Sequence, residues 1–247
     1  AFSSDGTLAS GGFRNVKLWK QQPPQEIFNI DFNGVKQTAS VIDEGLTKVL
    51  SANDRGDVHL HSFKTKESSL MASHGSRVIA LSFVGDNQFA SVDAEGFLSI
   101  FDIGEESSII STQLSYSVNS LTYLKLEDNN LLSLGCEDGF IRILSIDKKL
   151  ELISEIKAHS AKINYIKSSL KGDGKLISSG ADSMIRFWKV GDVQISKVRE
   201  INNGSEVSGF SLSKDDSLLA SVSKDGKIRI WNVVDGKLKS ESNNRWV

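Results

Sequence analysis

The stretch LASVSKDGKIRIWN (219–232) decides the fold, because the chain repeats it. Its relatives are LISSGADSMIRFWK (176–189), LSLGCEDGFIRILS (132–145), FASVDAEGFLSIFD (89–102), VLSANDRGDVHLHS (49–62) and LASGGFRNVKLWK (8–20). One column holds Trp231, Trp188, Leu144, Phe101, His61 and Trp19, at successive spacings of 43, 44, 43, 40 and 42 residues. A sustained period of this size marks a repeat architecture.

Each copy has the same physical reading. Leu219-Ala220-Ser221-Val222 is a short half-buried strand, and a tight turn follows in which Gly226, Gly139, Gly96 and Gly56 supply a positive φ. A strictly alternating strand comes next, with Ile228 and Ile230 on one face and Lys227 and Arg229 on the other. VSGFSLSKDDS (207–217) and VIALSFVGDNQ (78–88) supply a strand upstream, and LELISEIKAH (150–159) and ISKVREINN (195–203) a fourth. Four short antiparallel strands per unit make one blade of a β-propeller, an all-β fold. No sustained apolar spacing of helical period supports a helical solenoid.

The blade-like repeats run over 1–25, 26–66, 67–105, 106–148, 149–191 and 192–240, and 241–247 starts a further or ring-closing blade. AFSSDG aligns with SLSKDD of the sixth copy and so lacks the opening of its strand, while SNNRWV leads into a strand that Val247 would open. Two geometries fit: the ends meet in one blade and close a six-bladed ring, or they belong to different blades and at least one further repeat is missing.

Composition narrows the function classes. The 29 basic and 31 acidic residues nearly cancel, leaving a formal charge of −2, which disfavours a polyanion binder working through bulk charge. The single cysteine, Cys136, excludes an intrachain disulfide and suits a reducing compartment. No apolar run is long enough to span a membrane as a helix.

These repeats resemble the WD-repeat β-propeller family, whose phrase places a Gly-His-like turn before one strand and a Trp-Asp-like pair at the end of another. The resemblance covers almost the whole chain and implies a seven-bladed propeller of which these six repeats are a fragment. It implies a hydrogen-bonded structural tetrad of His, Ser or Thr, Asp and Trp in each blade. The fifth copy supplies all four as His159, Ser178, Asp182 and Trp188. The sixth keeps Ser221, Asp225 and Trp231 but has Asn203 for His; the third keeps His74 but has Glu95 and Phe101; the second has Arg55 and His61 for the acid and the Trp. Strict Trp-Asp pairs are absent, Phe101-Asp102 and Trp231-Asn232 being the nearest.

No catalytic, metal or cofactor set is expected. Asp182, His159 and Ser178 have the residue types of a hydrolase triad, but the repeat assigns them to blade packing. His59 and His61 share a strand face without a third ligand at convincing spacing. Cys136 has no evident cationic neighbour to make it a nucleophile. DRGD (54–57) and KGDGK (171–175) read as turns. Lys17, Arg142, Arg186, Lys227 and Arg229 read as solvated strand positions.

In a propeller, the turns between second and third strands gather on one face with the loops before first strands. Here that face presents Arg14, Arg55, Arg77, Glu137, Lys162 and Lys224, a candidate binding surface for proteins or peptides. The expected function is a non-catalytic intracellular interaction scaffold, cytoplasmic or nuclear, within a multiprotein complex. The alternatives are a regulatory or sensor domain of a longer protein, and a nucleic-acid or phosphoinositide binder.

Overall fold

The computed structural model describes residues 8–11, 15–21, 24–31, 34–43, 45, 47–105, 107–126, 129–147, 149–169, 173–191, 194–213 and 215–242, the backbone alone up to 31. Both terminal stretches singled out above lie outside these residues except for Ser242, and so does Arg14. Every regular element described is a strand. The chain forms two compact units, Ala1–Ser115 and Tyr116–Val247, divided between two successive sheets.

In the first unit, β1 (Leu8–Gly11), β2 (Asn15–Gln21) and β3 (Pro24–Asp31) form a three-stranded antiparallel sheet. Two four-stranded sheets follow. One is β4 (Gln37–Ile42), β5 (Lys48–Asn53), β6 (Asp57–Ser62) and β7 (Ser68–Ser73); the other is β8 (Val78–Val84), β9 (Gln88–Asp93), β10 (Phe97–Asp102) and β11 (Ser108–Gln113).

The second unit holds three more four-stranded sheets. These are β12 (Val118–Leu126), β13 (Asn129–Cys136), β14 (Phe140–Ser145), β15 (Glu151–Lys157); then β16 (Ile163–Ser168), β17 (Lys175–Gly180), β18 (Met184–Val190), β19 (Ile195–Asn202); then β20 (Val207–Leu212), β21 (Leu218–Ser223), β22 (Ile228–Asn232), β23 (Leu238–Ser242). These are the four-stranded antiparallel blades of a propeller. Five complete blades are present among the described residues, not the six or seven expected, because the first sheet has three strands there.

Repeat and sheet are offset by one strand. The sequence repeat 149–191 opens with β15, yet β15 pairs with β14 and closes the preceding sheet. Two irregularities recur. A register shift in the pairing of third and fourth strands falls between Ile100/Phe101, Ile143/Leu144, Phe187/Trp188 and Ile230/Trp231, at the Trp column. A second sits at the start of the first strand in each of the five four-stranded sheets, leaving Thr38, Ile79, Asn119, Asn164 and Ser208 out of the pairing. Bulges of this kind re-aim a side chain, and those at Asn119 and Asn164 turn the amide toward the neighbouring sheet.

The cores lie between sheets of the same unit. Leu50, Val58, Val78, Phe89 and Phe101 pack together in the first unit, with the Phe89 and Phe101 rings stacked 5.0 Å apart. In the second, Leu124, Ile141, Ile163, Ile166 and Trp188 form one cluster, and Ile177, Phe187, Val207, Phe210 and Trp231 another. Burial of these side chains is the main stabilising term.

Candidate functional site

At three places the loop leaving a fourth strand is fixed to its own sheet by its backbone and to the next sheet by one side chain. His159 N–H donates to Gly139 O at 3.0 Å, on the β13–β14 turn, while its imidazole reaches Ser178 and Asp182 of the following sheet. His74 does the same from Gly56 O (2.9 Å) to Ser91, and Asn203 from Ser183 O (2.9 Å) to Ser221. One residue thus staples two sheets.

In the β16–β19 sheet the polar chain is complete. Trp188 Nε1–H can only donate, and it donates to Ser178 Oγ at 2.9 Å. The Ser178 hydroxyl proton then goes to His159 Nε2, 2.7 Å away, which leaves the imidazole proton on Nδ1, 2.8 Å from Asp182 Oδ1. Asp182 also accepts from Arg186 Nη1 at 2.7 Å and from the Met184 amide. Burial acts to raise the Asp182 carboxyl, but the hydrogen bonds from His159 and Arg186 prevail and lower it to about 2. His159 is depressed below the ordinary imidazole value, first by burial, with Asp182 opposing. Ser178, His159 and Trp188 are all buried.

The other sheets solve the same problem with different groups. Trp231 Nε1–H donates to Ser221 Oγ (3.0 Å), and Ser221 donates to Asn203 Oδ1 (2.8 Å). Asp225, aligned with Asp182, takes no part in that chain and instead binds Arg229 and Ser223. In the third repeat the acid beside His74 is Asp93, at 3.6 Å, rather than Glu95, and Asp93 also accepts the Glu95 and Phe97 amides. In the second repeat His61 takes the Trp place, with Nε2 2.7 Å from Ser51 Oγ and Nδ1 2.6 Å from Ser68 Oγ. In the fourth the chain is apolar, with buried Leu134 and Leu144 at the Ser and Trp positions.

The strand arginines correct the expectation of solvated positions. Arg142 and Arg229 are buried, and each closes the same triple. Arg142 binds Asp138 (2.7 Å) in the turn and Glu155 (2.9 Å) directly across on β15; Arg186 binds Asp182 and Glu200 (3.2 Å); Arg229 binds Asp225 (2.6 Å) and Glu241 (2.8 Å). The guanidinium of Arg142 also lies 4.1 Å above the Tyr116 ring. The signal was in the sequence as Asp-x-x-x-Arg at 138–142, 182–186 and 225–229. Arg142 is also the cationic neighbour of Cys136 that the sequence did not reveal. Burial still wins, and pushes the thiol up to about 11.

His59 and His61 stack at 6.2 Å, and among the described residues no group of three or more His, Cys, Asp or Glu is placed to hold a metal ion. Burial, then His59, lowers the His61 imidazole from 6.5 to about 4. Folded His61 therefore stays neutral between those values while the unfolded chain takes up a proton. Its contribution is full above pH 6.5 and declines toward pH 4, by up to about 3 kcal/mol. Denaturant unfolding of the full chain across that range should show the decline, and His61→Gln should flatten it; an unchanged slope in the variant would assign the effect elsewhere.

The residues of the candidate binding surface lie at one edge of each sheet. The turn between second and third strands is hydrogen-bonded there to the residue preceding the first strand: Asp54 N to Lys36 O, Ala94 N to Arg77 O, Glu137 N to Ser117 O, Ala181 N to Lys162 O and Lys224 N to Glu206 O. Arg55, Arg77, Glu137 and Lys224 are exposed there and Lys162 half-buried. In the second unit two bulged asparagines, missed by the sequence reading, link these groups. Asn119 donates to Glu137 (2.8 Å) and to Ile163 O (3.0 Å); Asn164 donates to Glu206 (3.1 Å) and to Val207 O (2.8 Å). Lys224 holds Glu206 at 2.8 Å and keeps its carboxyl below the usual range.

The family model "WD domain, G-beta repeat" matches residues 150–189 and 196–232. Among curated relatives, nuclear distribution protein PAC1 of Candida albicans is 37% identical over 128 residues, 49% of this chain and 26% of its own length. TOPLESS-related protein 2 of Oryza sativa subsp. japonica is 28% identical over 207 residues, 82% of this chain and 16% of its own. The chain thus spans about a quarter of the PAC1 relatives it matches. The crystal structure of the computationally designed Ika8 protein superposes with a TM-score of 0.68 at 20% identity, over 99% of this chain and 73% of that one, a likeness of fold. The forty-residue repeat, the four-stranded blades and these matches make the chain similar to the WD-repeat β-propeller family, whose repeat model it matches in its fifth and sixth copies.

Proposed function

We propose that the chain is a non-catalytic protein-interaction module that serves in a multiprotein assembly. The observation that carries this reading is the recurring sheet edge. Stapled blades hold it rigid, and on it exposed charged side chains change from repeat to repeat while the backbone bonds beneath them stay the same. A rigid frame with variable loops suits recognition of other proteins. The breadth of relatives supports it too: apoptotic protease-activating factor 1 of Mus musculus and protein HIR1 of Phaeosphaeria nodorum share stretches at 32% and 31% identity under quite different names. Charged side chains that make up the polar chain are turned inward, which leaves the edge as the surface free to vary.

Capture of partners from lysate by the full chain, compared with Arg55→Glu and Arg77→Glu, tests the reading. At least one partner should fall several-fold in recovery with one of the variants while unfolding curves stay unchanged. Equal recovery of every partner by all three proteins would remove this edge as the binding surface.

A further inference from the structure

A surface pocket of about 290 Å³ opens between the starts of β4 and β8, lined by Lys36, Gln37, Thr38, Arg77, Val78 and Ile79. Its meaning comes from the corresponding place between β16 and β20. There the chain supplies its own anion: Glu206, which precedes β20, is held by the bulged Asn164 and by Lys224, and Asn164 also caps Val207 O. Between β4 and β8 every member of that set differs. Arg77 stands at the Glu206 position, Thr38 at the Asn164 bulge, and Ala94 at the Lys224 position, as the matching bonds Ala94 N to Arg77 O and Lys224 N to Glu206 O establish. Lys36 precedes β4 as Lys162 precedes β16.

The internal carboxylate has thus been exchanged for a cation, and the bridging amide for a side chain too short to span the gap. Among the described residues neither Lys36 nor Arg77 has an ion-pair partner, and both are exposed. Gln37 Oε1 and Thr38 Oγ1 are shielded from water and have no hydrogen-bond partner. Unpaired buried polar groups of this kind cost stability unless something satisfies them. The Thr38 hydroxyl can donate to an anion, whereas Gln37 Oε1 only accepts and can be met by a cation such as Arg77 or Lys36; an Arg guanidinium also offers a carboxylate two parallel bonds.

Building on the interaction reading above, we propose that this pocket takes an Asp or Glu carboxylate from an acidic segment of a protein partner, restoring from outside the arrangement that Glu206 makes within the chain. Arg77 and Lys36 neutralise the carboxylate, Thr38 supplies a neutral donor, and Arg55 on the adjoining turn extends the basic rim.

The probe is fluorophore-labelled, N-acetylated hexaglutamate, titrated against the full chain by anisotropy and by backbone amide resonances, with hexaglutamine and inorganic phosphate as comparisons. Hexaglutamate should bind, shift the Val78 and Ile79 amides, and weaken as salt rises. Arg77→Glu and Lys36→Glu should each weaken binding about tenfold or more. The triple variant T38N/R77E/A94K recreates the Asn164–Glu206–Lys224 set; it should abolish binding while unfolding no more easily than wild type. Absent binding, binding retained in the triple variant, or phosphate alone shifting these amides would each overturn the proposal. Partner capture that remains sensitive to Arg55→Glu in those circumstances would leave the interaction reading standing.

Discussion

Replacing Ser178 with alanine should lower the unfolding free energy of the full chain by about 2–6 kcal/mol, since two buried groups lose their partner at about 1–3 kcal/mol each. Trp188 Nε1–H would be left without an acceptor and His159 Nε2 without a donor, both in a region closed to water. The loss should be partly reversed in Ser178→Ala/Trp188→Phe, which removes the orphaned donor along with its acceptor. Denaturant unfolding of the two single variants and the double variant forms a cycle that isolates the coupling. Purely additive losses would mean that the serine and the tryptophan act independently, and the polar chain would then be a coincidence of packing.

Glycines in equivalent turns should differ sharply in what alanine costs. Gly139 has φ +77°, and a Cβ there would sit 2.5 Å from His159 O and 2.6 Å from Ala161 O, both backbone atoms. Gly226 has nearly the same φ, +76°, but a Cβ would meet nothing within 4 Å. Gly226→Ala therefore pays only for its left-handed backbone, about 1–2 kcal/mol. Gly139→Ala adds a clash with the loop that carries His159, for a total of about 3 kcal/mol or more. The ratio is the test, because backbone strain is common to both. Equal losses would show that the loop near Gly139 yields readily, and that the staple holds less firmly than its bonds indicate.

The blades were legible because their signal is redundant. The Trp column, the turn glycines and the alternation of Ile228 and Ile230 all report the same forty-residue unit. What could not be read was the choice among chemically similar partners. Glu95 occupies the aligned position of the acid, yet Asp93 sits closer to His74, because the turn lets a residue at the strand end bend back over the amides of Glu95 and Phe97. Asp225 is aligned correctly but is claimed by Arg229, since Asn203 offers it no ring N–H. The burial of Arg142 and Arg229 was hidden for a related reason. Alternation assigns a side chain to a face, but only the sheet shows that Glu155 and Glu241 stand opposite and make burial affordable. Asn119 and Asn164 escaped notice because a bulge is a feature of pairing and leaves no mark in composition.

The one-strand offset between repeat and sheet bears on where this chain can be shortened. A boundary drawn from the repeat, after residue 191, would separate β18 from β19 and strip the hydrogen-bonding partner from a strand that contains Trp188. The exposed ladder would invite pairing with other molecules. A boundary between Asn202 and Val207 leaves the β16–β19 sheet whole, and retaining Asn203 and Gly204 keeps the bond to Ser183 O that closes its turn. Expression pieces cut to sheet limits, and not to the periodicity of the letters, are the ones to expect in solution as single molecules.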